Sequence, residues 1–301
     1  MSSSADSMDA TMESYALSSS HVLPCGTPVR CLCHYRPPGA GGRRHLFVGT
    51  EGGYVHALLS PGGGPDRGGE TTTNPYRHPH AVLSVAASES TGTYATGCKD
   101  GGVRLFAVPA ADGAFGPPLS VLAGHGGRPA GSVRFAGDSL VSGGWDGTFK
   151  VWSGDGPSEC VQTVAEGLEN TVAVLPDGDA LYVVCAGRSE GGRYAGMLAQ
   201  TYARDGGKYA PRGPPRADHA GPVRCAAALV GAWATGGNDG TVRVRAPDGT
   251  CTAVLDHGTW AARPPGGAAG SDGGGIVLGC AALPDGIASC TEAGSVVVWR
   301  G

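Results

Sequence analysis

No apolar run in this chain is long enough to cross a bilayer: CAAALVGAWA at residues 225–234 is the longest, and a helical span needs roughly 20 residues. The opening MSSSADSMDATMES has neither a basic region nor an apolar stretch, so it does not read as a secretory signal or a transit peptide. Residues 1–13 read as a disordered tail. Charge of one sign is also missing. A net charge of −4 and a pI near 6.1 leave no electrostatic footprint for nucleic acid or an anionic membrane, so neither is expected as a partner. There are ten cysteines but no CxxC pair. Single thiols scattered through apparent strands read as reduced and intracellular rather than as a disulfide framework. Cys25, Cys31, Cys33 and His34 could donate to zinc, but strand alternation sends Cys31 and Cys33 to one face and His34 to the other. No metal and no cofactor are expected.

Signatures of catalysis are absent too: there is no P-loop, no HExxH and no GxSxG. GDSL at 137–140 matches a lipase-type nucleophile motif, with Ser139 as the nucleophile. That motif needs a strand-to-helix turn, whereas a strand follows here.

Glycine, by contrast, is plentiful, and it recurs in register. LVSGGWDGTFKVW at 140–152 has relatives in VGTEGGYVHAL (48–58), TGCKDGGVRLF (96–106), TGGNDGTVRVR (235–245) and SCTEAGSVVVW (289–299). Aligned without gaps, the turn position falls at Gly52, Asp100, Asp146, Asp239 and Ala293, giving intervals of 48, 46, 93 and 54. The long interval spans two periods, with an eroded copy whose strands are LYVVCAG (181–187) and MLAQTYA (197–203). A period in the high forties, built of short strands around a Gly-rich turn, marks a β-propeller of four-stranded blades, and the WD-repeat class fits best. The third repeat predicts strands a to d near 129–136, 139–143, 148–152 and 160–165.

Polar residues keep step with the repeat. His78, His125 and His219 each lie four residues before a first strand, Thr96, Ser142 and Thr235 lie four before the turn aspartate, and Phe106, Trp152 or Arg245 lies six after it. Repeats with the aspartate have the histidine, while Cys25 and Leu168 replace it where the aspartate is missing; the sixth repeat, with His257 and Ala293, is half-lost. Paired retention and loss predicts a buried His–Asp contact in each intact blade, because a buried carboxylate without its donor is costly. Once-per-blade recurrence argues for a structural network rather than a catalytic triad. The expected network is His78, Thr96 and Asp100; His125, Ser142, Asp146 and Trp152; and His219, Thr235 and Asp239.

Six repeats are recognisable over residues 14–301, and the sixth ends after its third strand. YALSSSHV at 15–22 alternates suitably to supply the fourth, so the expected fold is an all-β WD-repeat propeller closed by the N-terminal strand, or else an incomplete seven-bladed ring. LAGH followed by LVSGGWDGTFKVW resembles the third repeat of the phospholipase A2-activating protein family, the ubiquitin-binding WD-repeat proteins. PVRC near the start, YATGCKDGGVRLF in repeat two, and HAGPVRC with ATGGNDG in repeat five run in the same order as in that family. The resemblance implies a cytoplasmic and nuclear adaptor that binds ubiquitin in ubiquitin-dependent protein turnover. An AAA-type segregase partner would depend on C-terminal domains that these residues do not contain. Pro28 stands where that family's ubiquitin contact implies an acidic residue.

Within this reading the chain is not an enzyme, and partner docking falls to the upper face, shared by the d–a loops and b–c turns. The residue before the turn position projects there: Glu51, Lys99, Trp145, Asn238 and Glu292, with Arg30 and Arg224 as weaker candidates. Trp145 among mixed charges has the character of an interface anchor. A generic scaffold with another protein partner, or a propeller-fold hydrolase using Ser139, are the competing readings.

Overall fold

A computed structural model describes residues 9–11, 26–38, 44–60, 70–109, 114–153, 159–165, 169–186, 189–190, 193–194, 197–213, 216, 219–258, 261–263, 275–283, 286–292 and 296–300. Among them there is no helix; the chain is built of short antiparallel strands in six blade-like sheets. The chain divides into two compact units, residues 16–174 and residues 1–15 with 175–301.

Residues 16–174 hold three whole blades, each ordered a-b-c-d. Blade one is Val29–Tyr35, Arg44–Thr50, Val55–Ser60 and Glu70–Thr73; blade two is Val82–Ser88, Thr93–Cys98, Gly102–Ala107 and Ser120–Ala123. Blade three is Ala130–Ala136, Ser139–Gly144, Phe149–Trp152 and Cys160–Val164, within a residue of the expected bounds. Blade four is Glu169–Asp177, Ala180–Ala186, Met197–Asp205 and Lys208–Pro211, so the eroded repeat keeps its four strands. Its longer b–c connection carries a small hairpin, Ser189–Glu190 with Arg193–Tyr194.

The second unit contains blade five, Val223–Leu229, Ala232–Gly237, Thr241–Arg245 and Cys251–Asp256, which gains a fifth outer strand, Ala261–Arg263. Blade six has Val277–Leu283, Gly286–Thr291 and Val296–Arg300, completed by Asp9–Thr11. The N-terminal strand pairs Asp9 with Arg300, Ala10 with Trp299 and Thr11 with Val298. The donated residues therefore lie upstream of 15–22, inside the stretch whose composition reads as a tail. Residues 15–22 themselves lie outside the described residues.

One irregularity recurs. In blades one, two, three, five and six the a–b register shifts at the second residue of strand a, leaving Arg30, Leu83, Gly131, Arg224 and Leu278 as bulges. A bulge adds twist and re-aims the side chain that follows it. In residues 16–174 that next side chain reaches the neighbouring blade. The Cys31 thiol donates to the Val82 carbonyl (3.6 Å), while the Ser84 and Ser132 hydroxyls accept from the amides of Val133 (3.1 Å) and Val174 (3.2 Å).

The buried clusters lie between blades, which explains why a single copy would not stand alone. Phe47 of blade one stacks on Tyr94 of blade two at 4.6 Å, and Tyr94 on Phe106 at 4.9 Å. Val103, Leu122, Val133, Leu140 and Trp152 join blades two and three. In the second unit Val242, Leu255, Val277, Ile287 and Trp299 join blades five and six.

Recurrent strand-b glycines follow from this packing. A Cβ on Gly97 would lie 2.5 Å from the Ala130 carbonyl oxygen, where strand a of blade three passes over blade two. Backbone cannot retreat there without breaking the next sheet. Gly97→Ala is expected to lower stability by about 1 to 3 kcal/mol through overpacking. Gly116→Ala, whose Cβ would meet nothing within 4 Å, leaves the urea midpoint unchanged; equal midpoints for both variants contradict this packing.

Candidate functional site

Blade three assembles all four network residues. The Trp152 indole N–H donates to Ser142 Oγ (2.8 Å), the Ser142 hydroxyl faces His125 Nε2 (2.8 Å), and His125 Nδ1 meets Asp146 Oδ1 (3.0 Å). A neutral imidazole protonated on Nδ1 satisfies every pair: the serine donates to Nε2 and Nδ1 donates to the carboxylate. Asp146 also accepts from the Thr148 amide (3.1 Å) and hydroxyl (2.9 Å), which fixes the turn.

Blade five repeats the chain with two changes. His219 Nε2 meets Thr235 Oγ1 at 2.8 Å and Nδ1 meets both Asp239 oxygens at 3.1 and 3.0 Å. At the tryptophan position stands Arg245, whose guanidinium lies over the Trp233 ring at 5.2 Å. Burial pushes the Asp239 carboxyl up, yet the His219, Thr241 and Ala220 donors outweigh it and hold the pKa well below the usual range.

Blade two departs from the expected His–Asp contact. His78 Nε2 meets Thr96 Oγ1 at 2.8 Å, but its Nδ1 donates to the Gly53 carbonyl of blade one at 3.1 Å. Asp100 pairs instead with Arg104, at 2.6 and 3.2 Å. The cause lies two residues past the aspartate, where blades three and five have Thr148 and Thr241 and blade two has Gly102. Without that side chain the guanidinium folds over Gly102, whose Cβ would lie 2.7 Å from it. Burial raises the Asp100 pKa, but Arg104 and the Gly102 amide bring it down to about 2. Phe106 cannot donate; it packs beside His78 at 5.8 Å.

Blade six shows what survives without the aspartate. Trp299 Nε1 donates to Ser289 Oγ at 2.7 Å, and that hydroxyl meets His257 Nε2 at 2.8 Å. Ala293 lies outside the described residues. Ser289 and Trp299 were within reach of the sequence, since their ten-residue spacing equals that of Ser142 and Trp152. Cys25 and Leu168, at the histidine position of the other repeats, also lie outside the described residues. Ser139 sits in the a–b hairpin of blade three, paired with Ala136, at the end of the blade opposite His125. Burial pushes the Cys31 thiol up to about 12 and raises Cys33 as well.

The residues before the turn position share one backbone environment. The amides of Glu51, Lys99, Trp145, Asn238 and Glu292 donate to the carbonyls of Pro28, Ala81, Pro129, Pro222 and Ile276, each at 2.9 Å. The first three belong to residues 16–174 and the last two to the other unit. In blades one and five this residue meets the bulge arginine across the strands: Arg30 pairs with Glu51, and Arg224 Nε donates to Asn238 Oδ1 at 2.6 Å. In blade three the bulge is Gly131, and a Cβ there would lie 3.0 Å from Trp145 Nε1. The indole takes the space an arginine occupies elsewhere. Trp145 nevertheless remains 50% exposed.

A family model described as WD domain, G-beta repeat, matches residues 116–153, from the outer part of blade two through strand c of blade three. Comparison with curated protein sequences finds no match. Among solved structures the chain is similar to the structure of U3-55K, with a TM-score of 0.69 at 16% identity over 98% of this chain and 81% of that one. It is equally similar to the crystal structure of RRP9 WD40 repeats, with a TM-score of 0.69 at 16% identity over 98% of this chain and 80% of that one. At such identity the likeness is one of fold alone, the β-propeller class of WD40 repeats.

Two outcomes follow from the network. Asp146→Ala leaves the His125 Nδ1 proton without its acceptor and should cost about 1 to 3 kcal/mol, whereas Glu51→Ala, losing only a surface pair, should stay within about 0.5 kcal/mol of neutral; chemical unfolding compares them. Burial, helped by Arg104, lowers the His78 pKa to about 4, below the ordinary imidazole value of 6.5. The unfolded chain thus takes up this proton first, so the stability His78 lends is complete above pH 6.5 and is lost as pH falls toward 4. Burial lowers His125 and His257 in the same direction. His78→Asn should flatten the fall of the urea midpoint between pH 6.5 and 4; an unchanged slope counts against the buried neutral imidazole.

Proposed function

We propose that the chain is a non-enzymatic protein-interaction scaffold whose upper rim on blades one to three docks a protein partner. The observation that carries this reading is Trp145. It is fixed by the Pro129 carbonyl, lies over Gly131, and still offers half its surface to solvent. An exposed, pre-positioned tryptophan loses little conformational freedom on binding and is the side chain most enriched at interface hot spots. The rigid turns beneath it keep the same backbone bond while their side chains differ, as suits loops that carry recognition on a constant frame.

The partner we assign is ubiquitin or a ubiquitinated client, in ubiquitin-dependent turnover in the cytoplasm and nucleus. The resemblance of LAGH and LVSGGWDGTFKVW to the phospholipase A2-activating protein family supports it. A neighbouring acidic residue supports it as well: position 28 is proline, but Glu51, whose amide is bonded to the Pro28 carbonyl, carries a carboxylate at that end of blade one, paired with Arg30. The histidine networks serve the blades, which is why they recur and why no enzymatic role is assigned to them.

Titration of isotope-labelled ubiquitin with the chain tests the assignment. Expected are discrete amide shifts that saturate, with affinity reduced by about ten-fold or more in Trp145→Ala. Absence of shifts at millimolar concentration removes ubiquitin as the partner.

A further inference from the structure

The geometry points to an acidic linear protein segment, with an aromatic or large aliphatic side chain among its carboxylates, as the ligand of the surface formed by Lys99, Arg128 and Trp145. This rests on the docking role of the rim but not on ubiquitin, whose supporting carboxylate lies on blade one.

Three loops make the surface continuous. The b–c turn of blade two carries Lys99, and its Gly101 backbone packs against the loop into blade three, where a Cβ on Gly101 would lie 2.6 Å from the Arg128 carbonyl oxygen. That loop is tied to the turn by the His125 amide donating to the Gly101 carbonyl at 3.4 Å. Its next residue, Pro129, accepts the Trp145 amide at 2.9 Å. Lys99, Arg128 and Trp145 are all exposed.

Charge decides the class of ligand. Among the described residues, the carboxylates at this end of blades one to three are already engaged: Glu51 by Arg30, Asp100 by Arg104, and Asp146 by His125 and Thr148. The remaining cations are not. Among the described residues Lys99 and Arg128 have no acidic partner, and exposed Arg77 only donates to the Gly52 carbonyl (3.2 Å) and lies over the Tyr54 ring (5.2 Å). A chain of net charge −4 therefore presents a local cationic rim around a tryptophan, which draws carboxylates by complementarity and gives an apolar side chain a place to rest. A nucleic-acid surface would need a longer basic stripe and several aromatic platforms, and a single indole does not provide them.

The test is fluorescence anisotropy with a labelled synthetic peptide of Glu, Asp and Ser around a central Phe-Leu pair. A copy with lysine at every acidic position and a labelled oligouridylate of matched length are the competitors. The acidic peptide should bind, more weakly as salt rises, and the lysine copy should not. Affinity should fall about ten-fold or more in Lys99→Glu/Arg128→Glu and in Trp145→Ala. Gly131→Arg, which displaces the indole, should weaken binding similarly, while Arg212→Glu on blade four should not change it. Unfolding midpoints of these surface variants check that each is folded. The proposal is overturned if the acidic peptide fails to bind at millimolar concentration, if Lys99→Glu/Arg128→Glu binds it as well as the parent chain, or if oligouridylate binds in its place. Peptide binding with a silent ubiquitin titration removes ubiquitin alone. Indifference of both ligands to Trp145→Ala removes the rim.

Discussion

The constraint on which the structure depends is the close passage of an inner strand over the blade before it, as residues 16–174 show. At Gly97 the Ala130 carbonyl comes so near that no side chain fits, and the bulge at Gly131 then turns Ser132 toward the next blade, where it accepts the Val174 amide. Burial between blades supplies the driving force, while these backbone approaches set the register. A blade displaced by one residue would exchange its buried and exposed faces and lose the hydroxyl bridge together. Polar networks come second. They hold the loop that delivers strand a, and so protect the approach that the glycines permit.

This order explains the tolerance of the networks to erosion. Blade three has the full set from Trp152 to Asp146, blade five replaces tryptophan with Arg245, blade six keeps Trp299, Ser289 and His257, and blade two reroutes His78 to a neighbouring carbonyl. In each of these the histidine Nε2 meets a strand-b hydroxyl at 2.8 Å. That contact is the common element. The aspartate stabilises the turn and accepts from the histidine only where the adjacent residue lets it.

Much of the fold was legible because the b–c hairpin is local: its turn and its alternation are contained in eleven residues, which recur with a period in the high forties. Even blade four could be placed, since LYVVCAG and MLAQTYA keep their pattern after the turn chemistry has gone. Non-local chemistry was less legible. Joint occurrence of His78 and Asp100 suggested a contact that Gly102 and Arg104 redirect, and no spacing rule distinguishes a turn followed by glycine from one followed by threonine until the arginine is seen to fold over it. The donated strand was misplaced for a related reason. Three residues, Asp9–Thr11, carry almost no periodicity, whereas YALSSSHV alternates well. Of the docking surface, the rim positions were visible in the repeat register, but the space that Gly131 leaves for Trp145 depends on a bulge in another strand.

Pairing of Asp9–Thr11 with Val298–Arg300 joins segments far apart in the sequence, which orders events during synthesis. At roughly 5 to 20 residues per second, the earliest segment waits on the order of 15 to 60 s for its partner to be translated. Until then blade six cannot reach its final number of strands, and one margin of its sheet stays vacant. Such a topology ties completion of blade six to translation of Val298–Arg300, so that closure of this sheet cannot precede synthesis of all the blades before it.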